Sequence, residues 1–321
     1  MTILIIGGLG YIGSLTVKEL AQQHYVHVVD AYWHPSSSVN REDIRRLCGG
    51  NFTYEPTQFQ NLSKSVIQQF DAVILFAGHS SVAMSRGVIT DALYNNVAGP
   101  IDLVNKLRPD QLFIYSSSSS VYGDASNTIA TETHPHAPAY TEYDFTKRTF
   151  DDYMQMQSTH ARWWGLRYAT VCGGAPVLRT DLMINMMYHT AHTQHKIYVF
   201  GGEVRRSLLH TKQLVSGITS ILNNPHSAGI YNLSSLGSTN IQIADAVAQK
   251  LNVAVEHRAP EGISKTTSSR YNYIIDSTKF ETTFNCSLIA SISDIIDSLH
   301  EYYPSAQLTT REMPYECHAI A

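Results

Sequence analysis

Long apolar runs, basic clusters and closely spaced cysteines are all missing from this chain. No stretch reaches the roughly 18 uninterrupted apolar residues that a membrane-spanning helix requires, so a bilayer-embedded protein is not expected. Lysine and arginine number 23 against 27 aspartates and glutamates, a formal net charge of −4, and no basic run is longer than a pair such as Arg45-Arg46. A nucleic-acid or anionic-membrane surface needs a far stronger positive field. The four cysteines, Cys48, Cys172, Cys286 and Cys317, lie far apart with no CxxC pair, which suits unpaired thiols in a reducing, cytoplasmic compartment. His189, His192 and His195 recur every three residues, but no carboxylate or thiolate joins them, so no metal site is expected. The apolar opening at residues 3–6 has no basic stretch before it and leads directly into glycines. It reads as a first β-strand, not a leader.

What the chain does have is material for a large core: 321 residues, 43% hydrophobic and 16% charged, enough for one or two domains. Short apolar runs at 2–6, 26–30, 52–54, 72–76, 111–115 and 163–168 alternate with helical periodicity at 11–23, 41–47, 62–70, 92–107 and 143–158. Repeated strand–helix units predict an α/β fold, a doubly wound parallel sheet of the Rossmann type with helices on both faces. After about residue 171 the pattern changes to helices near 182–193, 241–251 and 289–302 and short strands near 196–200 and 229–233. We expect a sheet domain over 1–170 and a smaller mixed α/β substrate lobe over 171–321, partly interleaved with the first. The tail after Pro304 carries little pattern and is expected to be irregular.

Two patterns carry chemistry. Gly7-Gly8-Leu9-Gly10-Tyr11-Ile12-Gly13 falls between the first strand and the first helix. Glycines there let backbone amides and a helix N-terminus approach a pyrophosphate, so Gly7, Gly10, Tyr11, Ile12 and Gly13 are expected against a dinucleotide. Asp30 follows Gly13 by 17 residues, at the end of the second strand. A carboxylate there accepts from a ribose diol and repels a 2′-phosphate, which predicts NAD in preference to NADP. Farther on, Tyr143 and Lys147 are spaced i, i+4 and share a helix face. A phenol normally ionises near pH ~10, and an adjacent ammonium lowers that value. Such a pair can take a hydroxyl proton while hydride leaves the carbon. The serine run Ser116–Ser120 falls at the carboxyl end of a sheet strand, where ligands sit in open α/β sheets.

With Phe76-Ala77-Gly78, Asn96-Val-Ala-Gly99, Val121-Tyr122-Gly123, Leu166-Arg167-Tyr168 and Arg206 four residues before His210, the chain resembles a known family over nearly its whole length. This is the extended short-chain dehydrogenase/reductase family, in its branch of NAD-dependent nucleotide-sugar epimerases and dehydratases. The resemblance implies that Ser118 forms a catalytic triad with Tyr143 and Lys147. It implies that Lys147 also holds the nicotinamide ribose and that Ala77, Gly78, Asn96 and Ser116 line the cofactor cleft. Ser118, Ser119, Thr170, Arg179, Asn185 and Arg206 would face a nucleotide-diphosphate sugar; guanidinium forks such as Arg179 and Arg206 suit phosphate oxygens. The implied activity is oxidation of the sugar at C4 and epimerisation through a 4-keto intermediate. A C4 dehydrogenase or ketoreductase without epimerisation, or an inactive NAD-binding regulator, are the alternatives. A homodimer built on helices 92–107 and 143–158 is implied as well.

The chain also departs from that family's pattern. Thr170 stands where many epimerases have asparagine, and Thr57 and Gln58 occupy the place of an acidic adenine contact. Ser119 and Ser120 replace the Asp-Glu pair of the dehydratases. Hydroxyls are far weaker acids and bases than tuned carboxyls, which argues against 4,6-dehydration. Glu142 and Asp144 lie near in sequence, but helical geometry is expected to turn them away from the Tyr143/Lys147 face.

Overall fold

The structure, a computed structural model, describes residues 1–31, 41–125, 128–156, 162–258 and 271–309. Its centre is a sheet of seven parallel strands. They are β1 (Thr2–Ile6), β2 (Tyr25–Val29), β3 (Thr53–Glu55), β4 (Ala72–Leu75), β5 (Leu112–Ser118) and the strands Arg162–Tyr168 and Gly229–Leu233. Across the sheet the order is Gly229–Leu233, Arg162–Tyr168, β5, β4, β1, β2, β3. In β1, Ile3 and Ile5 join Leu15 and Val17 in one buried cluster, whereas Leu4 and Ile6 join Phe59, Leu103 and Phe150 in another. A strand sends successive side chains to opposite faces. With both faces covered, no polar alternation is needed, which is why these strands read as unbroken apolar runs. Strand order runs outward in both directions from β1 and β4, so their carboxyl ends open the crevice where ligands bind in such sheets.

The smaller elements surround that crevice. Thr170–Cys172, Arg205–His210 and Leu236–Thr239 form a three-stranded sheet. The helices Asn240–Leu251 and Ile292–Tyr302 each start with a capping box, Thr239 with Gln242 and Ser291 with Asp294, which satisfies two otherwise orphaned amides apiece. Among the described residues no helix is long and apolar enough to cross a membrane.

Several boundaries differ from expectation. The helix expected over 92–107 is three pieces: Ile89–Leu93, a π-helical turn Tyr94–Ala98, and Gly99–Lys106. Pro100 has no N–H to give the carbonyl four residues back, and the widened turn absorbs the loss. The helix expected over 62–70 shrinks to Lys64–Ile67, capped by Ser63. An unexpected helix, Thr211–Asn223, buries Leu214, Val215, Ile218, Ile221 and Leu222, a helical spacing that was present in the sequence. Past Pro304, Gln307–Thr309 is a strand paired with Val177–Arg179, because the ladder supplies partners that local pattern does not reveal. Residues 157–161, at the end of the expected 143–158 helix, lie outside the described residues, and the helix is seen as Glu142–Met156.

Candidate active site

A cavity of about 390 Å³ lies at the carboxyl ends of β1, β2, β4 and β5. Its floor is the glycine loop and the start of the helix Tyr11–Leu20. Gly13 permits the fold of that loop: a Cβ there would come within 2.2 Å of the Gly7 carbonyl oxygen. Gly10 caps the helix with no side-chain hydrogen bond, and no acidic residue sits in the first turn. The amides and the positive end of the helix are thus left for an anion. Asp30 lines the cavity, and its Oδ2 accepts the Leu9 amide at 2.9 Å. A carboxylate held against the glycine loop by this bond is an acceptor suited to a ribose diol. Gly7, Gly10, Tyr11, Ile12 and Gly13 all line the cavity. The Tyr11 phenol, however, is engaged by the protein, donating to the Gly173 carbonyl at 2.6 Å and accepting from Asn185 at 3.0 Å.

The next wall comes from β4. Ala77 and Gly78 line the cavity, and Gly78 has φ +131°, with Asn96 Oδ1 only 2.4 Å from where a Cβ would stand. Asn96 itself does not line the cavity. Its side chain accepts the His79 amide at 2.8 Å and donates to the His79 carbonyl and Thr146 Oγ1, both at 3.0 Å. Asn96 therefore clamps the β4 loop to the Glu142–Met156 helix, and its neighbour Asn95 reaches the cavity instead.

All five serines of the run line the cavity, and the Ser117 hydroxyl donates to the buried Asp151 at 2.8 Å. Ser118 ends β5 at the cavity, donating to Ser120 Oγ at 2.9 Å and accepting the Ser120 amide at 3.2 Å. Ser119 lines the cavity and pairs with the Tyr273 hydroxyl at 2.8 Å. Tyr143 and Lys147 face the same space, with the Lys147 ammonium 5.8 Å from the centre of the Tyr143 ring. Lys147 also donates to the Ser116 carbonyl at 2.9 Å. Burial pushes the Lys147 ammonium down to about 8, and the charge of Asp151 opposes that fall. Asp151 in turn pairs with Arg167 at 2.8 Å in full burial.

Thr170, Arg179, Asp181, Arg206, Tyr271 and Tyr273 close the cavity. Two of the expected phosphate contacts are engaged elsewhere. Arg179 is paired with Asp181 at 2.9 and 2.5 Å. Asn185 is 1% exposed and does not line the cavity; its amide bridges Gly173, the Tyr11 hydroxyl and the Arg179 carbonyl. Asn185 stands in the first turn of the helix Met183–Gln194, and these partners, one of them 174 residues away, use up its side chain. Arg206 does reach the cavity, held by the Tyr271 carbonyl at 2.6 Å. Asp181, Tyr271 and Tyr273 were missed in the sequence, where only the alternation Tyr271-Asn-Tyr273 hinted at a shared face. His189 and His192 pack on Tyr303, and no cluster suited to a metal occurs among the described residues.

Residues 3–234 match the family described as the NAD dependent epimerase/dehydratase family. The chain belongs to that family. Among curated relatives, the chain is 27% identical to a UDP-glucose 4-epimerase of Dictyostelium discoideum over 70% of its own length and 72% of the relative's. Among solved structures it resembles the UDP-glucose-4-epimerase of Stenotrophomonas maltophila, solved with NAD and formylated UDP-arabinopyranose. That match has a TM-score of 0.80 at 21% identity and covers 95% and 98% of the two chains. It also resembles an NAD dependent NDP-hexosamine 5,6-dehydratase, with a TM-score of 0.79 at 20% identity and the same coverage. At such identities the structures establish the fold, which is shared by epimerases and dehydratases alike.

Proposed function

We propose that this protein is a nucleotide-sugar 4-epimerase: it oxidises the C4 hydroxyl of a nucleotide-diphosphate sugar and returns hydride to the other face of the 4-keto ring. The observation that carries this reading is the convergence of Tyr143, Lys147 and Ser118 on the cavity that also holds the uncapped glycine-loop helix, Asp30 and Arg206. Gly7–Gly13 and Asp30 would hold the family's NAD, which when bound would supply a hydride acceptor and then a donor. Tyr143 takes the hydroxyl proton and later gives it back; the Lys147 charge favours the phenolate. Arg206 grips the diphosphate, whereas Asp181 already neutralises Arg179. Ser118 holds the reacting oxygen. The relatives that are UDP-glucose 4-epimerases favour a UDP-sugar.

We place the enzyme in the cytoplasm, in keeping with its buried free thiols Cys48, Cys172 and Cys286, and as a homodimer. On the two helices expected to form the dimer, Val97, Val104, Phe150 and Met154 are buried within the subunit. Tyr94 and Phe145, on the same helical segments, are 52% and 46% exposed and provide the apolar face instead. The reading is tested by incubating the purified protein with UDP-glucose and analysing the sugar product, alongside Tyr143→Phe. A C4-inverted product is expected, with turnover lost by about 10²–10⁴ in the variant and cofactor affinity retained. Near-normal turnover of Tyr143→Phe, or a product that has lost water, overturns it.

A further inference from the structure

Asp144 stands beside Tyr143 in the first turn of the Glu142–Met156 helix, yet it is 2% exposed and does not line the cavity. The Tyr271 phenol donates to its Oδ2 at 2.8 Å. Tyr271 does line the cavity, and its carbonyl accepts from Arg206 Nη1 at 2.6 Å. The next two residues are pinned as well. Asn272 Oδ1 accepts the Arg205 amide, and the Tyr273 hydroxyl pairs with Ser119 Oγ, both at 2.8 Å. Three consecutive residues thus tie the serine loop and the helix of the reactive pair to the strand Arg205–His210. Arg179 has Asp181 for a partner, but among the described residues the Arg206 guanidinium has only the Tyr271 carbonyl. Burial works against its charge. A guanidinium carries five N–H donors, so most of the fork is left for the cavity. Neither Asp144 nor Tyr271 has a task in the reaction proposed above.

We propose that Tyr271 is a positioning residue: anchored by its hydroxyl on Asp144, it holds Arg206 in register with Tyr143. One residue makes both contacts, so a shift of the guanidinium that keeps its carbonyl partner must pull the phenol off the carboxylate. Asp144 is adjacent to Tyr143 on one helix, and the span from diphosphate to C4 is set by the sugar. Fixing the diphosphate against that helix therefore presents C4 to the Tyr143 phenol, the kind of orientation that makes a bound reaction effectively unimolecular. Without the bond to Asp144, Arg206 keeps its charge but loses its place. Ordering it again on binding costs affinity, and only for a ligand that carries the phosphates.

The inference rests on the proposed grip of Arg206 on the diphosphate. The test is calorimetric titration of the NAD-loaded protein with UDP and with uridine, which lacks the phosphates. Tyr271→Phe removes the hydroxyl and leaves the carbonyl. UDP should bind about tenfold more weakly, the weight of one hydrogen bond to a charged group, and uridine should bind as it does to the wild type. In the Arg206→Ala background Tyr271→Phe should cost nothing more, because its effect passes through Arg206. Unchanged UDP affinity in Tyr271→Phe, an equal loss for uridine, or the full loss in the Arg206→Ala background overturns the inference. Asp144→Ala deletes the same bond from the other side and decides alone if Tyr271→Phe does not fold. An Arg206→Ala protein that binds UDP as tightly as the wild type would instead overturn the grip itself, so the two failures are distinguishable.

Discussion

Replacing Asp151 with asparagine probes the support behind the Tyr143/Lys147 pair. The carboxylate is fully buried and receives three hydrogen bonds, from Arg167 Nε and Ser117 Oγ at 2.8 Å and from Tyr115 at 3.1 Å. The amide can keep one or two of them but not the charge. Removing one partner of a buried ion pair typically costs about 3–5 kcal/mol, because the other charge is left uncompensated. Arg167 keeps the Tyr122 hydroxyl at 2.9 Å and His136, an imidazole whose basicity burial and Arg167 both depress, at 2.8 Å. The loss therefore belongs at the lower end, about 3 kcal/mol. With a urea slope of about 3 kcal/mol/M, the unfolding midpoint should fall by about 1 M.

A second effect follows from the same change. Lys147 is charged below about 8, and the proposed reaction needs that charge, so activity should decline as pH rises through this value. Asp151 is the charge that opposes the fall. Without it the alkaline limb should move down by about one pH unit, toward the lower end of the effect of a close charge. The linkage has a definite sign: because the folded form releases its Lys147 proton before the unfolded form does, stability rises with pH from about 8 to the ordinary lysine value near ~10.4. Urea titration and the pH profile of turnover check the two effects separately. An unchanged midpoint would refute the uncompensated-charge reasoning, and an unmoved limb would refute the field of Asp151 at Lys147.

Two further outcomes are expected. The wild-type protein should bind NAD more tightly than NADP, and Asp30→Ala should erase that preference by removing the acceptor held against the Leu9 amide; cofactor titration that finds NADP equal or better in the wild type refutes it. Sedimentation should show a dimer that Tyr94→Lys with Phe145→Lys converts to monomer, and a monomer in the wild type at every concentration would sink the proposed face.

The sequence by itself determined the sheet, the glycine loop and the Tyr143/Lys147 pairing, because each is a local code. Buried parallel strands must be apolar throughout, the tight approach at Gly13 admits no side chain, and an i, i+4 spacing places Tyr143 and Lys147 together wherever that helix goes. What lay beyond it were contacts between residues far apart in the chain. Nothing near Asn185 says that its amide is consumed by Tyr11, 174 residues away. Nothing near Asn96 says that it holds a backbone instead of a ligand. Helical spacing turns Asp144 away from the Tyr143/Lys147 face, and Asp144 does not line the cavity, but nothing near it says that Tyr271, 127 residues later, donates to its carboxylate. Only the folded chain brings that hydroxyl to it, because hydrogen-bond partners are chosen by proximity in space and burial leaves no water to take their place.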